Sequence, residues 1–178
     1  GTGEIYGFNG SGVPIGFNGS YRAPSLGYPP SVACIIRGEK VHDCYHNGIE
    51  NTNSTGSLIE LNTVHDIGHP NAKLTDAFYD PGYGIVTSFS TGHNAVDAVW
   101  RNNNVFNCKR KGLDLHSGVN TTMQGNTVTD CWVAGAFIAQ SDVSGVDTKH
   151  NKVIGNTFIR CGQAPDSNMY QSIGGVQT

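Results

Sequence analysis

The chain has 178 residues, 37% hydrophobic and 14% charged, with 24 Gly and a formal net charge of -3. That bounds it to one domain or a fragment of one, and so low a charged fraction argues against helical bundles and coiled coils, which draw on Ala, Leu, Glu and Lys. No apolar run approaches the ~18 residues of a membrane helix, and Lys109-Arg110-Lys111 is too short to neutralise a run of phosphates, so neither membrane insertion nor nucleic-acid binding is expected.

The chain opens on Gly1-Thr2-Gly3 without a Met, which reads as a processed chain or a piece of a longer one. Residues 1–30 show no repeat of coil length. They carry Gly-Phe-Asn-Gly-Ser twice, at 7–11 and 16–20, with Tyr6, Phe8, Phe17, Tyr21 and Tyr28 interleaved. A Gly- and aromatic-rich loop or capping segment is expected here, stacking on sugars or packing over the end of the following domain or a neighbouring subunit.

From residue 31 to 178 a repeat organises the chain. Val41-His42-Asp43-Cys44, Val64-His65-Asp66-Ile67, Val105-Phe106-Asn107-Cys108, Val128-Thr129-Asp130-Cys131 and Phe158-Ile159-Arg160-Cys161 share one pattern, with leading residues 23, 41, 23 and 30 positions apart. Two residues before the anchor stand Asn62, Asn103, Asn126 and Asn156, and seven after it Gly48, Gly112 and Gly135, with Gly84 following a long insertion. Asn and Gly are expected at corners, where both tolerate left-handed backbone. Five residues before the anchor, Ile36, Ile59, Trp100, Met123 and Val153 form an apolar column that must face inward.

A 23-residue unit of short β runs and corners predicts an all-β fold, a right-handed parallel β-helix, in which like residues stack at the ~4.8 Å strand spacing. The Asn column becomes an amide ladder and the Cys column a stack of small buried free thiols. Their spacing carries no zinc signature, and no metal or other cofactor is expected. Free thiols imply folding in a reducing cytoplasm. A leucine-rich repeat would need several Leu per unit, which are absent.

Departures from the repeat mark the candidate site. Insertions fall at 68–83, 89–94, 140–147 and 162–174, and the loops 89–94 and 140–147 leave after the same strand, flanking Gly112-Leu113-Asp114-Leu115-His116. Leu113 and Leu115 point inward, so Asp114 and His116 point outward on one face. Stacked with Asp114 are Glu50, Val86 and Phe137; beside His116 are Thr52, Ser88 and Ala139. Glu50 lies two coils, roughly 10 Å of backbone, from Asp114, nearer the carboxylate spacing of an inverting than of a retaining glycosidase. Asp114, His116, Glu50 and Asp97 are the candidate catalytic residues; Phe137, His93, Arg110, Lys111 and Ser88 are the candidate substrate contacts. Arg37, Glu60 and Arg101 read as a surface charge ladder of little energetic weight. His42 and His65, adjacent on one column, read as solvated or partner-facing.

The coil pattern over residues 31–161 resembles the pectate-lyase-like right-handed β-helices, and its Asn-rich, Cys-stacked, insertion-bearing form resembles bacteriophage tailspike depolymerases. The resemblance implies a homotrimer, on a virion tail or otherwise secreted or at the cell surface, that cleaves a bacterial surface polysaccharide. Glycosidic hydrolysis by two carboxyls is the preferred expectation. Elimination is the alternative, with His116 as base and Arg110 or Lys111 neutralising a uronate. From a different class, a non-catalytic glycan-binding or structural segment of a phage tail or adhesin would need only the aromatic segment and the loops; a secreted bacterial lyase or epimerase ranks third. Five coils are few for such a protein, which supports a fragment.

Overall fold

The structure is a computed structural model that describes residues 3–8, 12–15, 30–69, 82–87, 94–138, 148–163 and 174–177. Its strands follow the chain coil by coil. The first coil holds β1 (Glu4–Tyr6) and β2 (Val13–Ile15). The second holds β3 (Ser31–Val32), β4 (Ile35–Arg37), β5 (Lys40–His42) and β6 (Asn47–Asn51). The third holds β7 (Ser54–Thr55), β8 (Leu58–Glu60), β9 (Thr63–Ile67) and β10 (Tyr83–Val86). The fourth holds β11 (Ala95–Val96), β12 (Val99–Arg101), β13 (Asn104–Cys108) and β14 (Lys111–Leu115). The fifth holds β15 (Gly118–Val119), β16 (Thr122–Gln124), β17 (Thr127–Thr129) and β18 (Ala134–Ile138), and the last β19 (Lys152–Ile154), β20 (Thr157–Ile159) and β21 (Gly174–Gln177).

Each strand pairs in parallel with its counterpart one coil away. Sheet A runs β1-β5-β9-β13-β17-β20 and sheet B runs β2-β6-β10-β14-β18-β21. Sheet C runs β3-β7-β11-β15 and sheet D runs β4-β8-β12-β16-β19. The register puts Val41, Val64, Val105 and Val128 in one column and Ile36, Ile59, Trp100, Met123 and Val153 in another, as the spacing predicts. The four valines are wholly buried, and each contributes on the order of 1.5–3 kcal/mol of apolar burial. Val153, in the last coil, stays 38% exposed because no described strand covers that side of β19.

Part of the 1–30 segment lies in the stack. Ile5 pairs with Val41 and Val13 with Ile49, and Gly12 keeps the seven-residue offset from Ile5. The sequence hid this coil because Gly7 and Phe8 stand where later coils carry Asp, Asn or Arg and then Cys or Ile.

The Asn ladder forms as expected. Asn62 Nδ2 donates to Asn103 Oδ1 at 3.0 Å, Asn103 Nδ2 to Asn126 Oδ1 at 2.9 Å and Asn126 Nδ2 to Asn156 Oδ1 at 2.8 Å. Each amide oxygen also accepts the backbone N–H of the preceding rung, so the corner's buried donors are satisfied. Left-handed backbone falls elsewhere: on Gly38, Leu61, Asn102, Gly125 and Gly155, one residue before the ladder, and on Asp43, Asp66, Asn107, Asp130 and Arg160, two after the core apolar residue.

The recurring glycines are likewise not corner residues. None of Gly48, Gly84 and Gly112 has positive φ. A Cβ on Gly112 would collide with Val128 Cγ1 and lie 2.9 Å from Gly135 O, and the other two face the same obstruction from Val64 and Val105. The column is glycine because the valine ladder occupies the space.

Cys44, Cys108, Cys131 and Cys161 stack as free thiols, the first three buried. The outer face of sheet A carries a ring stack, Tyr6, His42, His65 and Phe106, with successive centroids 5.1, 4.9 and 4.7 Å apart and planes within 8°. The two histidines are thus members of an aromatic ladder. Asp43 Oδ2 lies 2.6 Å from His42 Nδ1 and raises its pKa; burial opposes this, and Glu4 adds to the rise. On sheet D, Glu60 is buried beneath Arg37 and Arg101, one guanidinium on each oxygen.

Gly112→Ala is expected to cost about 1–3 kcal/mol by overpacking. The cost is to fail to add to that of Val128→Ala in the double mutant, read from urea midpoints. The raised pKa of His42 stabilises the fold fully below the unfolded value near ~6.5 and is lost as pH rises through the folded value. The stability difference between the parent and His42→Phe is therefore expected to shrink from pH 6 to pH 8, measured by urea unfolding at each pH.

Candidate functional site

The outer face of sheet B carries the column the sequence predicts. Glu50 pairs with Val86, Val86 with Asp114 and Asp114 with Phe137, with Pro14 before and Gln177 after. Asp114 and His116 share this face, but they are not solvated. Asp114 is wholly buried and His116 only 7% exposed.

The cause is local. The inward-pressed Gly112 interrupts strict alternation, so Lys111 emerges on the outer face and folds over the carboxylate. Lys111 Nζ lies 3.2 Å from Asp114 Oδ2, and His116 Nδ1 lies 2.7 Å from Asp114 Oδ1. Both are charge contacts, and among the described residues neither Asp114 oxygen accepts a hydrogen bond of good geometry. Phe137 closes the cluster from the next coil, with Lys111 Nζ 3.4 Å from its ring centroid and the His116 ring at 5.1 Å.

The turn that delivers His116 is pinned by a residue the sequence reading passed over. Thr87 Oγ1, fully buried, accepts the backbone N–H of His116 at 2.9 Å and of Ser117 at 3.0 Å. Thr148 Oγ1 donates to the His116 carbonyl at 2.9 Å. Both threonines sit in the interval between strands where the repeat varies, so the coil pattern gave no signal for them.

Burial pulls the Lys111 pKa down; Asp114 opposes the shift and Arg110 adds to it. Arg110 is itself buried, its Nη1 donating to Tyr83 Oη at 3.0 Å, and Tyr83 also lies 5.6 Å from Lys111 Nζ. Arg110 thus supports the lysine's surroundings.

Glu50 stands apart from Asp114. It accepts from Asn47 Nδ2 at 3.2 Å and Thr52 Oγ1 at 3.3 Å on its own coil, and Val86 separates it from the cluster. His46, close by, has its pKa lowered by burial against the pull of Glu50. Asp97 does not join the cluster. It lies in the exposed turn between β11 and β12, at φ 52°, and its Oδ1 accepts from Asn120 Nδ2 at 2.6 Å. Its left-handed backbone and cross-coil bond account for an Asp there. Ser88, His93 and the loop 140–147 lie outside the described residues.

The arrangement suits proton transfer beside an anion. A histidine beside a carboxylate can accept a proton, and a partly desolvated lysine can neutralise a neighbouring negative charge. Asp114, without exposed surface, orients His116 and balances Lys111.

Asp114→Asn removes the charge facing two basic side chains and is expected to cost at least ~2 kcal/mol of stability, whereas Asp97→Asn keeps both φ preference and acceptor and stays within about 0.5 kcal/mol. Thermal and urea unfolding of the two variants check the contrast.

No curated protein matches the chain. A family model described as right handed beta helix region matches residues 4–172. That span takes in the strands from β1 through β20, in agreement with the four parallel sheets, and the chain belongs to the right-handed β-helix family.

Proposed function

We propose that the chain is part of a glycan-degrading β-helix of the tailspike-depolymerase kind, which cleaves an acidic bacterial surface polysaccharide on the outer face of sheet B. The observation that carries this reading is the packing of Lys111, Asp114 and His116 against Phe137. The fold family includes carbohydrate-active and structural members alike, so the weight rests on these side chains.

The geometry favours elimination over the hydrolysis expected from sequence. Hydrolysis by two carboxyls needs both to reach the scissile bond. Asp114 is wholly buried and Glu50 lies beyond Val86. In elimination, His116 takes the proton on the carbon α to a uronate carboxylate while Lys111 faces that carboxylate. The electron pair forms a carbon–carbon double bond, the bond to the glycosidic oxygen breaks, and that oxygen takes a proton from water as it leaves, becoming the hydroxyl of the new reducing end. Asp114 is a positioning residue for His116.

In this reading the protein works as a homotrimer on a virion tail or cell surface after folding in a reducing cytoplasm; the free thiol column supports the last point. The non-catalytic alternative draws on one observation, the 7% exposure of His116.

The test is to incubate the chain, His116→Ala and Asp114→Asn with uronate-containing capsular and lipopolysaccharide glycans, following the absorbance of unsaturated uronates and the appearance of reducing ends together. Unsaturated products are expected from the parent, with the rate falling at least ~100-fold in His116→Ala. Reducing ends without that absorbance would return the assignment to hydrolysis. Neither signal from the folded parent would leave a binding or structural module.

A further inference from the structure

Where sheet A turns into sheet B, each coil presents two outward columns on either side of the inward thiols. The first, two residues after each core apolar residue, is Asp43, Asp66, Asn107, Asp130 and Arg160, at φ between 49° and 54°. Left-handed backbone accounts for Asp and Asn at such positions. It does not account for the second column, two residues further on: Tyr45, Gly68, Lys109 and Trp132. Tyr45 is 37% exposed, with its ring held edge-on by His69 at 4.8 Å. Lys109 Nζ lies 5.0 Å from the centroid of the Trp132 ring.

Gly68 omits a side chain between Tyr45 and Lys109, and a Cβ there would lie 2.7 Å from Lys109 Cβ. At this gap opens a cavity of about 370 Å³, walled by Asp43, Tyr45, Asp66, Asn107 and Lys109. A second concavity of about 180 Å³ continues past Asn107 to Asp130, Trp132 and Arg160. The two have Asn107 in common and follow one another along the solenoid axis.

We propose that this corner groove is a binding strip for an extended uncharged glycan, separate from the sheet B cluster and independent of any cleavage there. The coils rise by about 4.8 Å each, close to the advance of one sugar unit in an extended chain, so successive coils meet successive sugars. Tyr45 offers a flat apolar surface to a ring. Asp43 Oδ2 is used by His42, while its Oδ1 has no hydrogen bond among the described residues and accepts from a sugar hydroxyl; Asp66 lies against His65 through Oδ2 and accepts from Asn107 Nδ2 through Oδ1, which leaves its remaining lone pairs and Asn107 Oδ1 for neighbouring hydroxyls. Two carboxylates on the cavity wall, with the Lys109 ammonium placed over Trp132, disfavour an acidic sugar at this site.

The test is calorimetric titration of the full chain with cellohexaose, maltohexaose, mannohexaose and hexagalacturonate. The variants are Tyr45→Ala, Asn107→Gly, which preserves the left-handed backbone, and His116→Ala, each checked for fold by circular dichroism. At least one neutral hexasaccharide is expected to bind, at least ten-fold more weakly in Tyr45→Ala and Asn107→Gly and unchanged in His116→Ala. No neutral binding up to millimolar concentration, a preference for hexagalacturonate, or binding lost in His116→Ala but kept in Tyr45→Ala would each overturn the proposal. Failure of the cleavage assay alone leaves the strip standing, because neither groove variant touches the sheet B cluster.

Discussion

The structure depends on one constraint: whatever a coil places at a given position must fit on top of its counterpart one strand spacing away. The Asn ladder meets it with polar groups. Each buried amide accepts from the backbone and side chain of one neighbour and donates to the next, so the rungs from Asn62 to Asn156 satisfy one another. The valine and glycine columns meet it sterically, each valine methyl filling the space a Cβ on the glycine would take. The tolerance of a solenoid for sequence change therefore lies in its outward positions and corners, and those are where this chain carries its chemistry.

Much of this was legible because stacking turns distance in space into fixed distance in sequence. The separation of 23 residues that links Val41 to Val64 also links Arg37 to Glu60 and Glu39 to Asn62. It places Asp114 beside Phe137, and equal offsets from Gly48, Gly84 and Gly112 place Glu50 one pairing beyond Val86. What period alone could not give is the depth of a side chain. Strict alternation puts Asp114 outward and says nothing of what covers it. It is buried because Lys111, three residues earlier, reaches the same face where the strand departs from alternation at Gly112. The first coil was missed for a related reason: Gly7 can take the left-handed corner as Asp does, and Phe8 replaces the thiol, so equivalent geometry hid behind different residue types.

The two surfaces singled out differ in how the fold uses them. On sheet B, basic groups from one strand converge on a single buried carboxylate, giving a point-like cluster suited to acting on one bond. At the corner between sheets A and B, polar and aromatic residues recur from coil to coil, giving a line suited to holding a chain. Both run parallel to the same axis, since a stack of coils provides no other direction for repetition. Asp97, which the sequence offered to the first surface, illustrates the limit of reading chemistry from residue type: its carboxylate is taken up by Asn120 one coil along.

The two tryptophans of the chain sit in opposite surroundings. Trp100 is wholly buried in the inward column with no partner for its indole N–H among the described residues, while Trp132 is half-buried beside the corner groove with a lysine ammonium over its ring. Intrinsic fluorescence therefore carries two separable signals, a blue-shifted emission reporting the integrity of the middle coils and a redder one, accessible to aqueous quenchers, reporting the groove wall. A ligand entering the groove would alter the second emitter and leave the first in place, so the native chain carries its own optical reference.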